Sequence, residues 1–485
     1  MDIHELLKKA DSSKVSIEAT VPTGLENVGV AECKEKLGED IDICKDRGRI
    51  FFNIDISEIN KVFLLRSVDN LYVITHSVKS VGTYCGEKET DLQLIKNLAT
   101  CPDWKESLSI WRKVCSFQGI CYPSQEEYGR AMEEERIIKS KVALMLNSMD
   151  MKGSDKDGNS NTIACVKVAN PLSEDDVSDG IIKDTKGFAN QKCEARKCYQ
   201  QIDKRNNSCK VLKYRVTCYR VGDHTFGSQD AAYHFGGQLQ DMFSWIVDLV
   251  HFDLEIVLNI KGEEAYVGIA LTKESMHRRN IKQFGPTTLR ATVCYGLLHL
   301  GEPKVGDIVI DPMCGGGSIP IEGALTFPGS FYIGGDFHPK AVSRSSVNVD
   351  ALVSKRKNTI DLLSWDVRKL PLRDSSVDVF VTDLPFGKRS GSKQDNRTLY
   401  KDALVELARV VRQDSGRAVL LTQDRKNLTR TLTQTHKLWS LAKIVGVNIG
   451  GLDAAIYVLN RTCNEALSIY NYISKVLKHK KRKVS

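Results

Sequence analysis

No stretch of this sequence is apolar for anything near the ~20 residues that a bilayer-crossing helix needs, and no apolar signal segment opens it. A cytoplasmic protein is therefore expected, with the nucleus as a second location. Charge of one sign is not in large excess either: the net charge is +8, which suits a chain that meets a polyanion through local patches rather than one coated in cations. The 14 cysteines lack metal-ligand order, because Cys193, Cys198 and Cys209 lie in a polar stretch without the spacing or the neighbouring histidine that zinc requires. With no secretory signal they read as thiols of a reducing compartment, and no metal is expected. A nucleotide triphosphatase loop is also missing, since neither Lys-Ser nor Lys-Thr follows Gly317 in the glycine-rich stretch 312–318. The length, 485 residues, allows about three domains at ~100 to 200 residues each.

What is present is a group of chemically useful residues at a predicted strand end. Residues 377–382 are apolar and β-branched like a buried strand, and Asp383, Leu384, Pro385, Phe386 and Gly387 follow directly. Asp383 offers an acceptor for an amine N–H, the carbonyl of Leu384 offers a second, and Phe386 presents a face on which a planar base stacks. In isolation, a strand that stops at a proline turn reads the same way. Three upstream pieces change the balance. Residues 307–311 form a short apolar strand ending in Asp311, and Pro312, Met313, Cys314, Gly315, Gly316 and Gly317 lead from it into a helical stretch at 319–325. Glycines let the backbone approach a ligand, and a helix start presents free N–H groups. Asp336 closes the next strand, 331–335, where an acid accepts ribose hydroxyls; Asp366, followed by Val367, ends a third apolar segment, where an acid accepts an adenine amino group. An NAD site would accommodate Asp336 but leave the five residues at 383–387 unexplained.

In this order the pieces resemble a class I S-adenosylmethionine-dependent methyltransferase over roughly residues 286–462. The resemblance implies an α/β Rossmann-like domain with a mostly parallel sheet and an antiparallel edge hairpin. It also implies S-adenosyl-L-methionine as cofactor, held by Asp311, Pro312, Met313, Cys314, Gly315, Gly317, Asp336, Asp366 and Val367. Asp383, Leu384, Pro385 and Phe386 then match the catalytic amino-methylase box, usually written Asp/Asn-Pro-Pro-Tyr/Phe. Leu384 departs from the proline of the second position, whose contribution is its backbone carbonyl. The residues themselves support the edge hairpin: predicted strands at 439–447 and 454–460 are separated by only 448–453, too few for a parallel crossover.

Before this domain, residues 211–218 alternate like a strand, 228–250 read as a helix after a serine cap, and 252–260 with 265–271 make a hairpin. This segment resembles the THUMP domain, which grips the 3′ end of transfer RNA in its family. The expected organisation is an N-terminal ferredoxin-like α+β domain at 1–118, a charged helical piece and largely disordered linker at 119–209, a THUMP core at 210–273, a basic joint at 274–286, the methyltransferase domain at 287–465 and a basic tail at 466–485. In the first of these, strands are predicted at 15–20, 49–55 and 67–76 and helices at 26–37 and 57–65.

Together the segments resemble the THUMP-domain-containing transfer-RNA guanine-N2 methyltransferases. That family methylates the exocyclic N2 of guanosine in the acceptor-stem region, typically at the sixth nucleotide, alongside a small zinc-binding activator protein. Arg278, Arg279 and Lys282 in the joint, with Lys388 and Arg389 after the box, are the expected RNA contacts. Cys314 lies in the cofactor loop and no cysteine lies at 383–387, so covalent attack on a pyrimidine carbon is disfavoured. The box chemistry leaves adenine N6, in RNA or DNA, open beside guanine N2. A protein glutamine methylase would carry Asn where Asp383 stands, and a non-catalytic transfer-RNA-binding protein would keep the fold without the reaction.

Overall fold

The computed structural model describes residues 3–10, 13–82, 84–153, 197–203, 209–285, 288–352, 359–385 and 393–463. Most of the expected disordered linker, Cys193, the basic tail, Phe386, Lys388 and Arg389 lie outside these. The chain divides into two compact units, one made of Met1–Leu71 with Glu274–Ser485 and the other of Tyr72–Lys273. The division cuts the expected 1–118 segment at Leu71.

After a short helix, Ile3–Lys8, the first unit has β1 (Lys14–Thr20), β2 (Ile43–Asp46) and β3 (Arg49–Asp55), where β3 pairs antiparallel with both β1 and β2. The helix Glu26–Leu37 falls where its pattern predicts. The helix expected at 57–65 is instead a 3₁₀ helix, Ile56–Leu64, and its buried residues explain why: Ile59, Val62 and the following Leu65 recur every third residue, the spacing that a 3₁₀ helix puts on one face.

In the second unit, β4 (Asn70–Val78, of which the first two residues belong to the first unit), β5 (Lys213–Val221), β6 (Ile246–Val247), β7 (Leu254–Lys261) and β8 (Glu264–Ala270) are paired in a mixed arrangement. β8 is antiparallel to β4 and β7, and β5 runs parallel to β7 and β6. The helix predicted over 228–250 stops early, as Ser228–Phe243. Ser244 takes a left-handed conformation, φ +53°, and turns fully buried Trp245 into the core, where its indole N–H donates to the Cys121 carbonyl at 2.7 Å. Two helices that periodicity did not single out, Lys88–Leu98 and Trp104–Cys115, complete the unit with the long helix Gln125–Gly153.

The remainder of the first unit is a seven-stranded sheet of β9 (Ile308–Asp311), β10 (Phe331–Asp336), β11 (Ile360–Ser364), β12 (Val379–Asp383), β13 (Arg417–Thr422), β14 (Trp439–Ile449) and β15 (Leu452–Arg461). Its order is β11-β10-β9-β12-β13-β15-β14. β9 to β13 are parallel, while β15 is antiparallel to β13 and β14. Gly450 and Gly451, both at positive φ, close the β14–β15 hairpin as a two-residue turn of this kind demands. Apolar clusters cover both faces of the sheet, which is why the strands read as continuous hydrophobic runs. The order reverses between β9 and β12, so the carboxyl ends of β9, β10 and β12 open onto one crevice.

Candidate active site

Asp311 and Asp383 end the two strands that flank the reversal. Thr382 bridges them, its Oγ1 donating to Asp311 Oδ1 at 2.7 Å, and the Met313 amide donates to the same oxygen at 3.2 Å. Burial pushes the Asp311 carboxyl up to about 7; the Thr382 and Met313 bonds oppose this only in part. Asp383 also lies well above the ordinary carboxylate range, first because of burial and then because Asp311 is close. Its Oδ1 is enclosed without a hydrogen-bond partner among the described residues, where buried acceptors are usually paired.

The rest of the box is fixed from behind. The Leu384 amide continues the ladder by donating to the Leu421 carbonyl at 2.9 Å, a bond that proline at this position could not make, and the leucine side chain is buried in the core. Leu384 therefore explains its own departure from the usual box. Two donors from the helix Lys393–Val410 converge on the Pro385 carbonyl, Asn396 Nδ2 at 2.7 Å and the Tyr400 hydroxyl at 2.9 Å, while Thr422 meets Tyr400 at 2.8 Å. Sequence reading missed all three, because their partner is a backbone carbonyl that carries no sequence signal.

The cofactor loop is held as closely. The Cys314 amide donates to the Gly335 carbonyl at 2.8 Å, and the Gly317 amide to the Cys314 carbonyl at 2.8 Å. Gly315 and Gly317 sit at φ +56° and +81°, where side chains are rarely accommodated, and Gly317 opens the helix Ser318–Thr326. Asp336 accepts from the Gly315 amide at 2.9 Å and the His338 amide at 2.8 Å, one bond per oxygen, so each oxygen retains acceptor capacity for a ribose hydroxyl. Trp365 lies against Gly335, where an added Cβ would come within 1.9 Å of its ring, and its indole donates to the Pro312 carbonyl at 3.1 Å.

Asp366 is gripped by Arg368 at 2.6 to 3.0 Å, a partly exposed pair worth about 0–1 kcal/mol. The Val367 and Cys314 side chains are buried, so Val367 faces a ligand only with its backbone; burial raises the Cys314 thiol and keeps it unreactive. Arg278 and Lys282 are exposed, whereas Arg279 donates to buried Glu322 at 2.9 Å and belongs to the joint's own wiring. Phe337, an aromatic after Asp336 that sequence reading passed over, is 73% exposed at the crevice end of β10.

The raised Asp311 carboxyl predicts a pH dependence. A folded-state value near 7, above the unfolded ~3.9, means that its contribution is fully present below about pH 4 and is lost as pH rises through about 7, by at most about 4 kcal/mol. Melting of the ligand-free protein between about pH 5 and pH 8.5 should show the decline. Asp311→Asn, which keeps the acceptor for Thr382 and Met313, should make it shallower and leave the part that buried Asp383 contributes; an unchanged slope in that variant would refute the assignment.

Comparison with known proteins agrees with this geometry. A family model described as UPF0020, RMKL-like methyltransferase domain, matches residues 278–455. The tRNA (guanine(6)-N(2))-methyltransferase THUMP3 of Bos taurus is 41% identical over 468 residues, covering 94% of this chain and 90% of the relative. The solved structure of TrmN from Thermus thermophilus superposes with a TM-score of 0.61 at 20% identity, over 92% of this chain and 99% of that one. A putative methyltransferase, SMU.472, complexed with SAH, gives 0.58 at 13% identity over 93% of this chain and 99% of that one. S-adenosylmethionine is thus the methyl donor, and the residues fit it: a loop with left-handed glycines and acceptor capacity left on both oxygens of Asp336. The chain belongs to the tRNA (guanine(6)-N(2))-methyltransferase THUMP3 family of class I methyltransferases.

Proposed function

We propose that this enzyme methylates the exocyclic N2 of a guanosine in the acceptor-stem region of transfer RNA, at the sixth nucleotide, with Asp383 as the group that meets the amine. The observation that carries the reading is the enclosed, unpartnered Oδ1 of Asp383 beside the fixed backbone of Leu384 and Pro385. When bound, S-adenosylmethionine supplies an electrophilic methyl group on a positively charged sulfur. Guanine N2 is a poor nucleophile because its lone pair is delocalised into the ring. Acceptors at Asp383 and the Leu384 carbonyl turn the two N–H bonds so that the lone pair faces the methyl group. Burial and Asp311 favour the neutral form of Asp383, and the positively charged sulfur of the bound cofactor would shift it towards the ionised form, in which it takes the amine proton. Holding amine and methyl in line supplies most of the acceleration, for which well-oriented reactions gain roughly 7–11 kcal/mol. A base inside a helical stem is flipped out first, at a cost of a few kcal/mol.

Arg278 and Lys282, exposed in the joint, are the proposed phosphate contacts, joined by Lys388 and Arg389. Residues 210–273 are proposed as the THUMP core that grips the 3′ end, and the cytoplasm as the site of action. A small zinc-binding activator is the proposed partner, pairing with an edge of the catalytic sheet. Leu441 and Ile444, each about half exposed on edge strand β14, are apolar surface that such a partner would cover.

Incubation with labelled cofactor and unmodified transfer RNA, followed by digestion to nucleosides, tests the reaction. Label in N2-methylguanosine at the sixth nucleotide is expected, and label in N6-methyladenosine overturns it. Expression with and without the activator tests the partnership, which equal solubility and activity in both would refute.

A further inference from the structure

The amide of Asn348 joins two parts of the first unit that the proposed reaction uses separately. It lies on the buried face of the helix Pro339–Asp350 with no exposed surface. Its Oδ1 accepts from the Lys282 amide at 3.0 Å and the Gln283 amide at 2.8 Å. Its Nδ2 donates to the Gln283 carbonyl at 3.1 Å and the Gly316 carbonyl at 2.9 Å. Both donors and both lone pairs of the side chain are therefore engaged, a complete set that leaves it one orientation.

The two ends of this link differ in kind. Lys282 and Gln283 belong to the exposed basic joint, next to Phe284, which is 53% exposed, and Gly285, against which Arg344 of the same helix packs. Gly316 is the middle glycine of the cofactor loop, between the left-handed Gly315 and Gly317. Its carbonyl shares a peptide plane with the Gly317 N–H, which donates to the Cys314 carbonyl at 2.8 Å, so the bond from Asn348 helps to set the turn of the loop. Ordering the joint on a phosphate backbone thus orders the loop through one rigid amide, and ordering the loop on the cofactor orders the joint.

We propose that Asn348 is a positioning residue that couples RNA binding at the joint to cofactor binding at the loop. The proposal rests on the joint's being an RNA contact, as proposed above. Thermodynamic linkage makes the coupling reciprocal: the factor by which transfer RNA tightens the cofactor equals the factor by which the cofactor tightens transfer RNA.

The test uses the full chain, with S-adenosylhomocysteine as a non-reacting probe and an unmodified transfer-RNA transcript. Each dissociation constant is measured with and without the other ligand. In the parent protein both factors should agree and be roughly fivefold or more. Asn348→Asp keeps the acceptor for the two joint amides and loses the donors to the Gln283 and Gly316 carbonyls, which cuts its link to the loop, so the factor should fall to near one whatever each single affinity becomes. A merely structural role would lower the melting temperature or both affinities and leave the factor in place. Hydrogen exchange on the parent protein provides a second measurement that needs no variant: transfer RNA alone should slow exchange at 313–318, and S-adenosylhomocysteine alone should slow it at 281–285. Transfer-RNA binding and methyl transfer without coupling would overturn this proposal and leave the function intact. Failure to bind transfer RNA at all would overturn both, and a factor that persists in Asn348→Asp would assign the coupling elsewhere.

Discussion

Asp383→Ala is expected to slow methyl transfer at least ~10³-fold while the protein still binds S-adenosylhomocysteine and transfer RNA. Removing the carboxylate deletes the acceptor that orients the amine and the group that takes its proton, and the two losses fall on the same step. Proton transfer alone accounts for about 10²–10⁴-fold in comparable sites. Asp383→Asn should fall between the parent and Ala, since its carbonyl still accepts one N–H but an amide does not take the proton. The cofactor loop is built independently, on the Cys314–Gly335 and Gly315–Asp336 bonds, so binding to it should survive the Ala variant. Single-turnover rates with saturating ligands separate these quantities. Normal turnover by Asp383→Ala would end the assignment of this residue.

The largest expected effect on stability comes from Glu322, in the helix that follows the cofactor loop. Its side chain is 1% exposed and accepts from Arg66 Nη1 at 3.1 Å, Arg279 Nη2 at 2.9 Å and Asn280 Nδ2 at 3.1 Å. Glu322→Ala strands two guanidinium groups that are mostly removed from water, and breaking such a node by deleting one partner costs about 3–5 kcal/mol. Glu322→Gln keeps an acceptor oxygen and should lose less. Denaturant unfolding of the three proteins measures the difference, and a loss below about 1 kcal/mol in the Ala variant would mean that the arginines find water or other partners.

The parts of the site that were legible in the sequence are those that single strands and their following turns encode. Asp311, Asp336 and Asp383 stand at strand ends because a buried strand gives a continuous apolar run, and the run marks its own carboxyl end. The antiparallel β14–β15 pair was legible from the shortness of 448–453. The features that escaped reading depend on segments far apart in the chain. Nothing near Glu322 announces Arg66, and Asn348 looks like any polar residue in an amphipathic helix until its partners at 282, 283 and 316 are seen. The partner of Arg279 was hidden for the same reason, since the acid that this cation meets is 43 residues away in sequence. Local signals were also passed over: Asp103 accepts from the Glu106 amide at 3.2 Å and caps the unpredicted helix Trp104–Cys115.

Both ends of the chain contribute to the catalytic unit, and this bears on how the protein is made. The Thr23 carbonyl accepts from the Asn448 amide at 3.0 Å, Leu25 packs in the same core cluster as β15, and a Cβ at Gly24 would lie 1.9 Å from the Gly446 carbonyl oxygen. During synthesis the first seventy or so residues leave the ribosome long before β14 exists, so they wait with an unfinished surface while the second unit is made. A fragment starting near residue 287 would inherit the complementary defect, with the Leu25 and Arg66 positions empty. Heterologous production of the catalytic half should therefore yield aggregated material unless residues 1–71 are supplied as a separate polypeptide, which makes this protein a candidate for fragment complementation.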